Sequence, residues 1–167
     1  MSGLLACILM CVSIREANAS DLELVCRMRL EFVAEYRKVL VDDLPESFVE
    51  QTRVFVDRAQ RAGRIWSWLA EDNVGCIGAV SLLLFDVPPL PEDPRTSQGY
   101  IVDMYVLSRQ RRQGIGGGLF DACVTTAAQL EVRRLFLRAT DDGRPLYLRA
   151  GFKPNDEWLE LSLPAKP

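Results

Sequence analysis

The densest chemical signal in this 167-residue chain is a basic link that runs into a cluster of glycines. Arg109, Arg111 and Arg112 are interspersed with Gln110 and Gln113, and Gly114, Ile115, Gly116, Gly117 and Gly118 follow at once. A helix start leaves backbone N–H groups unpaired and carries the positive end of the helix dipole. Glycines let an anion approach that backbone closely, and guanidinium groups add charge in a forked geometry. The combination points to a ligand carrying two or three phosphates. The alternative is a flexible turn with solvated arginines, but glycine costs roughly 1 kcal/mol relative to alanine in a helix interior, and four stand here. Two common phosphate motifs do not fit. A Walker loop needs a lysine. A dinucleotide fingerprint needs a third glycine where Leu119 stands, and an acidic residue ending the next strand, which reads Leu137-Arg138-Ala139.

The elements around the link must hold it in place. Residues 13–17 read as the end of a first strand. Ser20 and Glu23 form a capping-box pair, and Val25, Met28, Phe32 and Tyr36 recur at helical spacing, which predicts a helix over 20–38. Ser47 and Glu50 form a second such pair, ahead of a helix marked by Phe48, Thr52, Phe55 and Ala59. Ala62-Gly63 ends it. Residues 65–70 and 74–85 read as a hairpin around a turn at 71–73. Residues 86–98 hold four prolines and read as a loop, the most mobile segment. Residues 100–107 read as a central strand. A helix over 114–130 follows, with Ile115, Leu119, Cys123, Thr126, Ala127 and Leu130 as its stripe. Then come a strand at 135–139, a short helix at 143–150 ended by Gly151, and a last strand at 158–163. This order predicts a mixed sheet with helices on its faces, an α/β or α+β domain.

Bulk properties exclude several functions. The chain has no histidine, which removes a Ser-His-Asp triad, a Cys-His dyad and every His-ligated metal site. The net charge of −3 gives no global attraction to nucleic acid or an anionic membrane. Arg133, Arg134 and Arg138 lack an aromatic platform and read as a solvated edge. Five cysteines without C-x-x-C spacing argue against a disulfide framework or a zinc site. Cys26, Cys76 and Cys123 sit in apolar patterns and read as buried reduced thiols, as expected in the cytoplasm. Residues 3–12 are nearly all apolar, and Ala17-Asn18-Ala19 mimics a cleavage site. No Lys or Arg precedes that stretch and Arg15-Glu16 follow it, so it reads as an extended strand or an extension at the start. It is too short to span a bilayer.

Arg111-Arg112-Gln113-Gly114-Ile115-Gly116 resembles the R/Q-x-x-G-x-G/A motif of the GNAT acetyltransferases. Downstream, Leu146-Tyr147 and Gly151-Phe152 resemble the family's late "LY…GF" segment. The resemblance covers roughly residues 13–163, within one acetyltransferase domain spanning 1–167, and leaves 1–12 as an extension. It implies a mixed, mostly antiparallel central sheet, splayed at its fourth strand and flanked by helices on both faces. Acetyl-CoA would enter the splay, with no metal. Its pantetheine would pair with backbone at Tyr105, Val106 and Leu107. Its pyrophosphate would meet the N–H groups of Gln113, Gly114, Ile115, Gly116, Gly117 and Gly118, with Arg111 and Arg112 at the phosphates. Thr140 stands near the place where many members carry an asparagine, and is the candidate for that hydrogen bond.

The implied reaction is acetylation of a small-molecule or peptide amine. Tyr147 occupies the place of the family's general acid at the departing sulfur. Asp103, placed by simple alternation on the same face as Ile101 and Tyr105, is the candidate general base. Glu31, Glu35 and Asp42, with Asp43, are candidate acceptor-binding groups. The competing reading is a module of the same fold that senses acyl-CoA without turnover. A homodimer fits the resemblance too. Trp66, Trp68 and Trp158 are expected to pack in the sheet.

Overall fold

The structure is a computed structural model that describes residues 12–155, 157 and 159–163. Its elements are β1 (Ser13–Glu16), α1 (Leu22–Arg37), α2 (Glu46–Arg61), β2 (Ile65–Glu71), β3 (Cys76–Asp86), β4 (Ser97–Val106), α3 (Ile115–Gln129), β5 (Leu135–Leu137) and α4 (Arg144–Arg149). The five strands form one sheet in the order β1-β2-β3-β4-β5. Neighbours are antiparallel except β4 and β5, which run parallel. The mixed sheet expected from the element order is therefore present.

Each face of the sheet carries its own core. On one face Ile115, Leu119, Phe120 and Cys123 of α3 pack on Trp68, Ile77, Val80, Leu82 and Ile101. On the other, Val25, Cys26 and Met28 of α1 and Val56 of α2 cover Leu69, Cys76, Ala79 and Tyr105. Full burial of a leucine or isoleucine contributes about 1.5–3 kcal/mol, so these two layers fix where the strands end and hence where the site lies. Cys26, Cys76 and Cys123 are buried free thiols, as expected, and burial pushes all three above the ordinary thiol range. Trp68 is core; Trp66 is half-buried against it. Cys7, Cys11 and Trp158 lie outside the described residues.

Both predicted capping boxes are replaced. Asn18, in extended backbone, accepts from Ser20 N at 2.9 Å, while Asp21 accepts from Asn18 N at 2.8 Å. A 3-10 turn at Ala19–Asp21 then leads into α1, so the cap sits two residues before Ser20. The α2 helix starts at Glu46, because Pro45 supplies an extended N-cap with its fixed φ, and no side chain caps it. At the far end of α1, Lys38 adopts φ 58 and returns its N–H to Ala34 and Glu35 carbonyls.

Two further expectations change. The 86–98 loop is fastened rather than free. Arg133 Nη1 donates to the carbonyls of Pro88 and Arg95, and Leu90 and Asp93 exchange backbone bonds. The last strand is not formed in the described part of 158–163. Residues 159–163 have no strand partner, and Leu159, Leu161 and Leu163 are exposed. Alternation alone does not make a strand, and β5 pairs over only three residues, so its outer edge offers little to extend.

Asp21 ties β1, β2 and α1 together. Arg15 donates to Asp21 at 2.7 and 2.8 Å and to Glu71 at 2.8 and 3.0 Å. The Arg15 bonds, with help from Asn18 N, hold the Asp21 carboxyl at about 2, below its ordinary 3.8. A folded value below the unfolded one adds stability above the unfolded value, and this is lost as pH falls through the folded value. Asp21→Asn is expected to cost about 1–3 kcal/mol at neutral pH. In scanning calorimetry the gap from the parent should shrink as pH falls from about 4 to about 2.

Candidate active-site cleft

The β4 and β5 strands pair only at Gly99↔Leu135, Tyr100↔Phe136 and Ile101↔Leu137. Beyond Ile101 the strands part, and a cleft of about 800 Å³ opens between β4, the start of α3, α4 and one flank of α1. That volume suits a cofactor-sized ligand. The splay expected at the fourth strand is therefore present.

Hydrogen-bond phase decides which part of β4 faces the opening. Leu107 N donates to Ile77 O at 2.9 Å, and Gly78 lies opposite Val106. In an antiparallel pair, bonded and non-bonded positions alternate. Tyr105, opposite Ala79, therefore turns its N–H and C=O toward β3, as Leu107 does, while Val106 turns both outward into the cleft. Of the three backbone positions expected to pair with a ligand, Val106 is the one that faces the cleft, with its N–H open and its C=O accepting from Arg111 Nε. Tyr105 lines the cleft through its side chain.

At the start of α3 the backbone N–H groups of residues 112–117 donate to nothing among the described residues. Arg112 (φ 63) and Gly114 (φ 83) both adopt the left-handed conformation. Alternation of this kind turns successive N–H groups into a concave anion site. Gly114 needs its missing Cβ for that backbone. Gly118 has a different reason: a Cβ there would come within 2.6 Å of Ile14 Cδ1, so it lets α3 lie close on β1. Its N–H is already bonded to Gly114 O, which removes Gly118 from the expected set of anion donors. A Cβ at Gly117 would meet only open space. The link is anchored from behind. Buried Gln110 donates to Asp72 at 3.3 Å and accepts from Gln113 at 3.2 Å. Asp72 also caps the β2–β3 turn through Val74 N and Gly75 N.

The two expected phosphate arginines separate. Arg112 lines the cleft and has no acidic partner among the described residues. Arg111 instead reaches across. Its Nε donates to Val106 O at 2.9 Å, its Nη2 to Glu35 at 2.6 Å, and its guanidinium lies 5.5 Å from the Tyr105 ring centre. Tyr105 OH donates to the other Glu35 oxygen at 3.0 Å. Burial, then this bond, pushes the Tyr105 phenol up to about 12. Arg111 is thus held between α1 and β4, on the carbonyl that Val106 turns outward. Arg149, in the last turn of α4, lines the cleft without an acidic partner among the described residues. Sequence reasoning passed it over; the clue was a cation two residues after Tyr147.

Tyr147 is 7% exposed, lines the cleft, and packs with Phe120 and Phe152 at ring separations of 6.0 Å. Its hydroxyl has no hydrogen-bond partner among the described residues. Burial, with a smaller contribution from Cys123, pushes it up to about 12, so it keeps its proton at neutral pH. Thr140 also lines the cleft, with its hydroxyl accepting from Gly143 N at 3.2 Å at the start of α4.

Asp103 does not stand where alternation put it. Two residues, Asp103 and Met104, face Val80 in a β-bulge, and Asp103 has φ 55. The extra residue reverses the phase of the strand. Ile101 packs in the α3 core and Tyr105 in the α1 core, on opposite faces. Asp103 is buried against α1, where Arg29 Nη1 bonds it at 2.5 Å. Burial raises its pKa and Arg29 opposes that rise. It does not line the cleft. Of the acceptor candidates, Glu35 does; Glu31 and Asp42 do not. Phe32, Tyr36 and Met104, which the sequence reading placed only as helix or strand positions, line the same end. Among the described residues no group of acids and cysteines could hold a metal ion.

The glycine geometry predicts opposite outcomes at neighbouring sites. Gly114→Ala is expected to lose about 1–2 kcal/mol through left-handed strain. Gly117→Ala is expected to gain up to about 1 kcal/mol, as alanine is the better helix former. Thermal unfolding of the two variants checks both.

Several solved structures share this fold. A "predicted acetyltransferase" of Clostridium acetobutylicum, solved with acetyl-CoA, is 26% identical, covers 91% of this chain and 96% of its own, and superposes with a TM-score of 0.80. A GCN5-related N-acetyltransferase of Ralstonia eutropha JMP134 is 28% identical over 93% and 99%, with a TM-score of 0.74. Glucosamine-6-phosphate N-acetyltransferase of Arabidopsis thaliana shares the fold at 13% identity, over 92% and 99%, with a TM-score of 0.67. No curated protein matches the chain in sequence. The family model for the acetyltransferase (GNAT) family matches residues 29–152, a span that holds the bulge, the glycine cradle and Tyr147. With that match over well more than half its length, the chain belongs to the GNAT acetyltransferase family.

Proposed function

We propose that this protein transfers an acetyl group from acetyl-CoA to a primary amine by direct attack, with Tyr147 as the donor to the departing sulfur. The observation that carries this reading is one cleft that brings together three things: the outward edge of β4 at Val106, the unbonded amides at the start of α3, where Arg112, Ile115 and Gly116 line it, and a protonated phenol with no partner among the described residues.

Acetyl-CoA fits these groups. Its pyrophosphate suits the N–H cradle and the free cations Arg112 and Arg149. Its pantetheine amides suit the outward N–H and C=O of Val106, once Arg111 releases that carbonyl. Thr140 adds a hydroxyl on the α4 side. When bound, acetyl-CoA supplies an activated acyl group on a good leaving thiol.

The chain supplies position and proton management. An alkylammonium near a pKa of ~10.4 must lose a proton before attack, a penalty of roughly 4–5 kcal/mol at pH 7. Glu35 can hold the ammonium at the mouth of the cleft, where solvent takes the proton. At the other end a thiolate of pKa ~8.5 develops. Full proton transfer from a phenol near about 12 would be roughly 5 kcal/mol uphill, so Tyr147 acts first as a hydrogen-bond donor to developing charge. Asp103, committed to Arg29, is assigned to holding α1 on the bulge, not to proton transfer.

A thiol-release assay with acetyl-CoA and an amine panel tests the reading. Tyr147→Phe should lower kcat at least about tenfold with little change in acetyl-CoA affinity, in line with loss of one transition-state donor. In the parent, kcat at saturating amine should show no descending limb below about pH 10, because a phenol near about 12 is still protonated there. Tight acetyl-CoA binding without turnover on any amine would instead favour a sensor.

A further inference from the structure

The end of the cleft away from the arginine-and-amide cradle is aromatic. Phe32 and Tyr36 lie one helical turn apart on α1, with ring centres 6.2 Å apart and inclined by 31°. Tyr105 of β4 faces Phe32 at 6.2 Å and 59°. Met104 lines the same end with a flexible thioether. Tyr36 is 67% exposed. Tyr105 is buried and Phe32 half-buried, so Tyr36 is the ring left open to water, and a ligand that covers it with an apolar body removes that surface from water.

Charge at this end is sparse, and its cation Arg111 is already paired with Glu35. Glu35 is the carboxylate that lines it; the other lining carboxylate, Asp142, lies across the cleft beside α4. Both oxygens of Glu35 already accept one bond each, from Tyr105 and Arg111, and each oxygen has a second lone pair to offer. One carboxylate flanked by rings suits one ammonium, by ion pairing and by cation–π contact. A polycation would need further carboxylates here. A phosphorylated acceptor would need a free cation at this end; Arg112 and Arg149 are assigned to the pyrophosphate, Arg111 is engaged by Glu35, and Arg138, near Tyr36, by Glu160.

Resting on the acetyl-transfer reading, we propose that the acceptor is a small primary monoamine with an aromatic body, an arylalkylamine, whose ammonium lies at Glu35 and whose ring lies against the exposed Tyr36 ring and the Phe32 edge beside it. The full chain is assayed by thiol release with acetyl-CoA against 2-phenylethylamine, hexylamine, spermidine, a polycationic aminoglycoside and glucosamine 6-phosphate. The expected kcat/KM for 2-phenylethylamine exceeds those of spermidine, the aminoglycoside and the sugar phosphate by at least about tenfold, and that of hexylamine by a smaller factor. Tyr36→Ala, at an exposed position that folding does not require, should raise KM for 2-phenylethylamine about fivefold to tenfold while KM for acetyl-CoA moves less than about twofold. Glu35→Gln should lower kcat/KM for every cationic acceptor. Faster turnover of spermidine, the aminoglycoside or glucosamine 6-phosphate overturns the substrate class and leaves acetyl transfer standing. An unchanged KM in Tyr36→Ala overturns the ring's place. Acetyl-CoA binding with no thiol release on any amine overturns acetyl transfer itself, and this proposal with it.

Discussion

A β-strand that has lost its neighbour for half its length is the constraint from which the rest follows. Buried backbone amides must be paired, so an unpaired strand edge persists only where water or a ligand can reach it. The β4 strand pairs with β5 at three positions and then leaves that edge unpaired, while its other edge stays on β3 through Val106. The bulge at Asp103 and Met104 occurs where the unpaired edge begins. It re-aims the strand so that Val106 points its polar groups into the opening and Tyr105 swings its ring to the α1 face. Gly78, whose absent Cβ would come within 2.9 Å of Tyr105 O, lets β3 follow this turn closely.

The cradle at the start of α3 depends on the same geometry. The chain leaves β4 at Val106 and reaches the helix within nine residues, too few to carry the amides of 112–117 away from the strand edge. Gln110 and Asp72 pin the link to the β2–β3 turn, so the amides remain aimed without a ligand. Arg111 is the exception to this readiness. It spends its guanidinium on Val106 O and Glu35, joining the free edge to the acceptor side. Any ligand strand pairing with Val106 must compete with that bond, which couples occupation of one end of the cleft to the state of Glu35 at the other.

Much of the frame was legible because it rests on local pattern. The 3.6-residue spacing of Val25, Met28 and Phe32, the hairpin at 65–85, and the glycine-rich helix start all survive in the structure within a few residues. Tyr147 was found from its setting in the late segment, and it does enter the cleft. The failures come from interactions that pattern does not encode. A bulge inserts one residue and reverses the face of everything after it, so Asp103 was placed by an alternation that stops just there. Arg111 and Arg112 are neighbours with the same chemistry, but the left-handed turn at Arg112 sends their side chains apart. Arg149 and the ring pair Phe32–Tyr36 join the site only through tertiary packing. Ser20 lost its capping role to Asn18 because a 3-10 turn precedes the helix.

The outward edge of β4 and the bare amides of α3 lie in one cleft, where acetyl-CoA would span both. Amide-resolved NMR of the labelled full chain, titrated with acetyl-CoA, tests it most directly. Saturable shifts are expected to concentrate at Val106, at residues 112–117 and along α4, with β1 and α2 nearly still. Absence of any shift at millimolar acetyl-CoA, or shifts centred on the α2 side of the sheet, would contradict it.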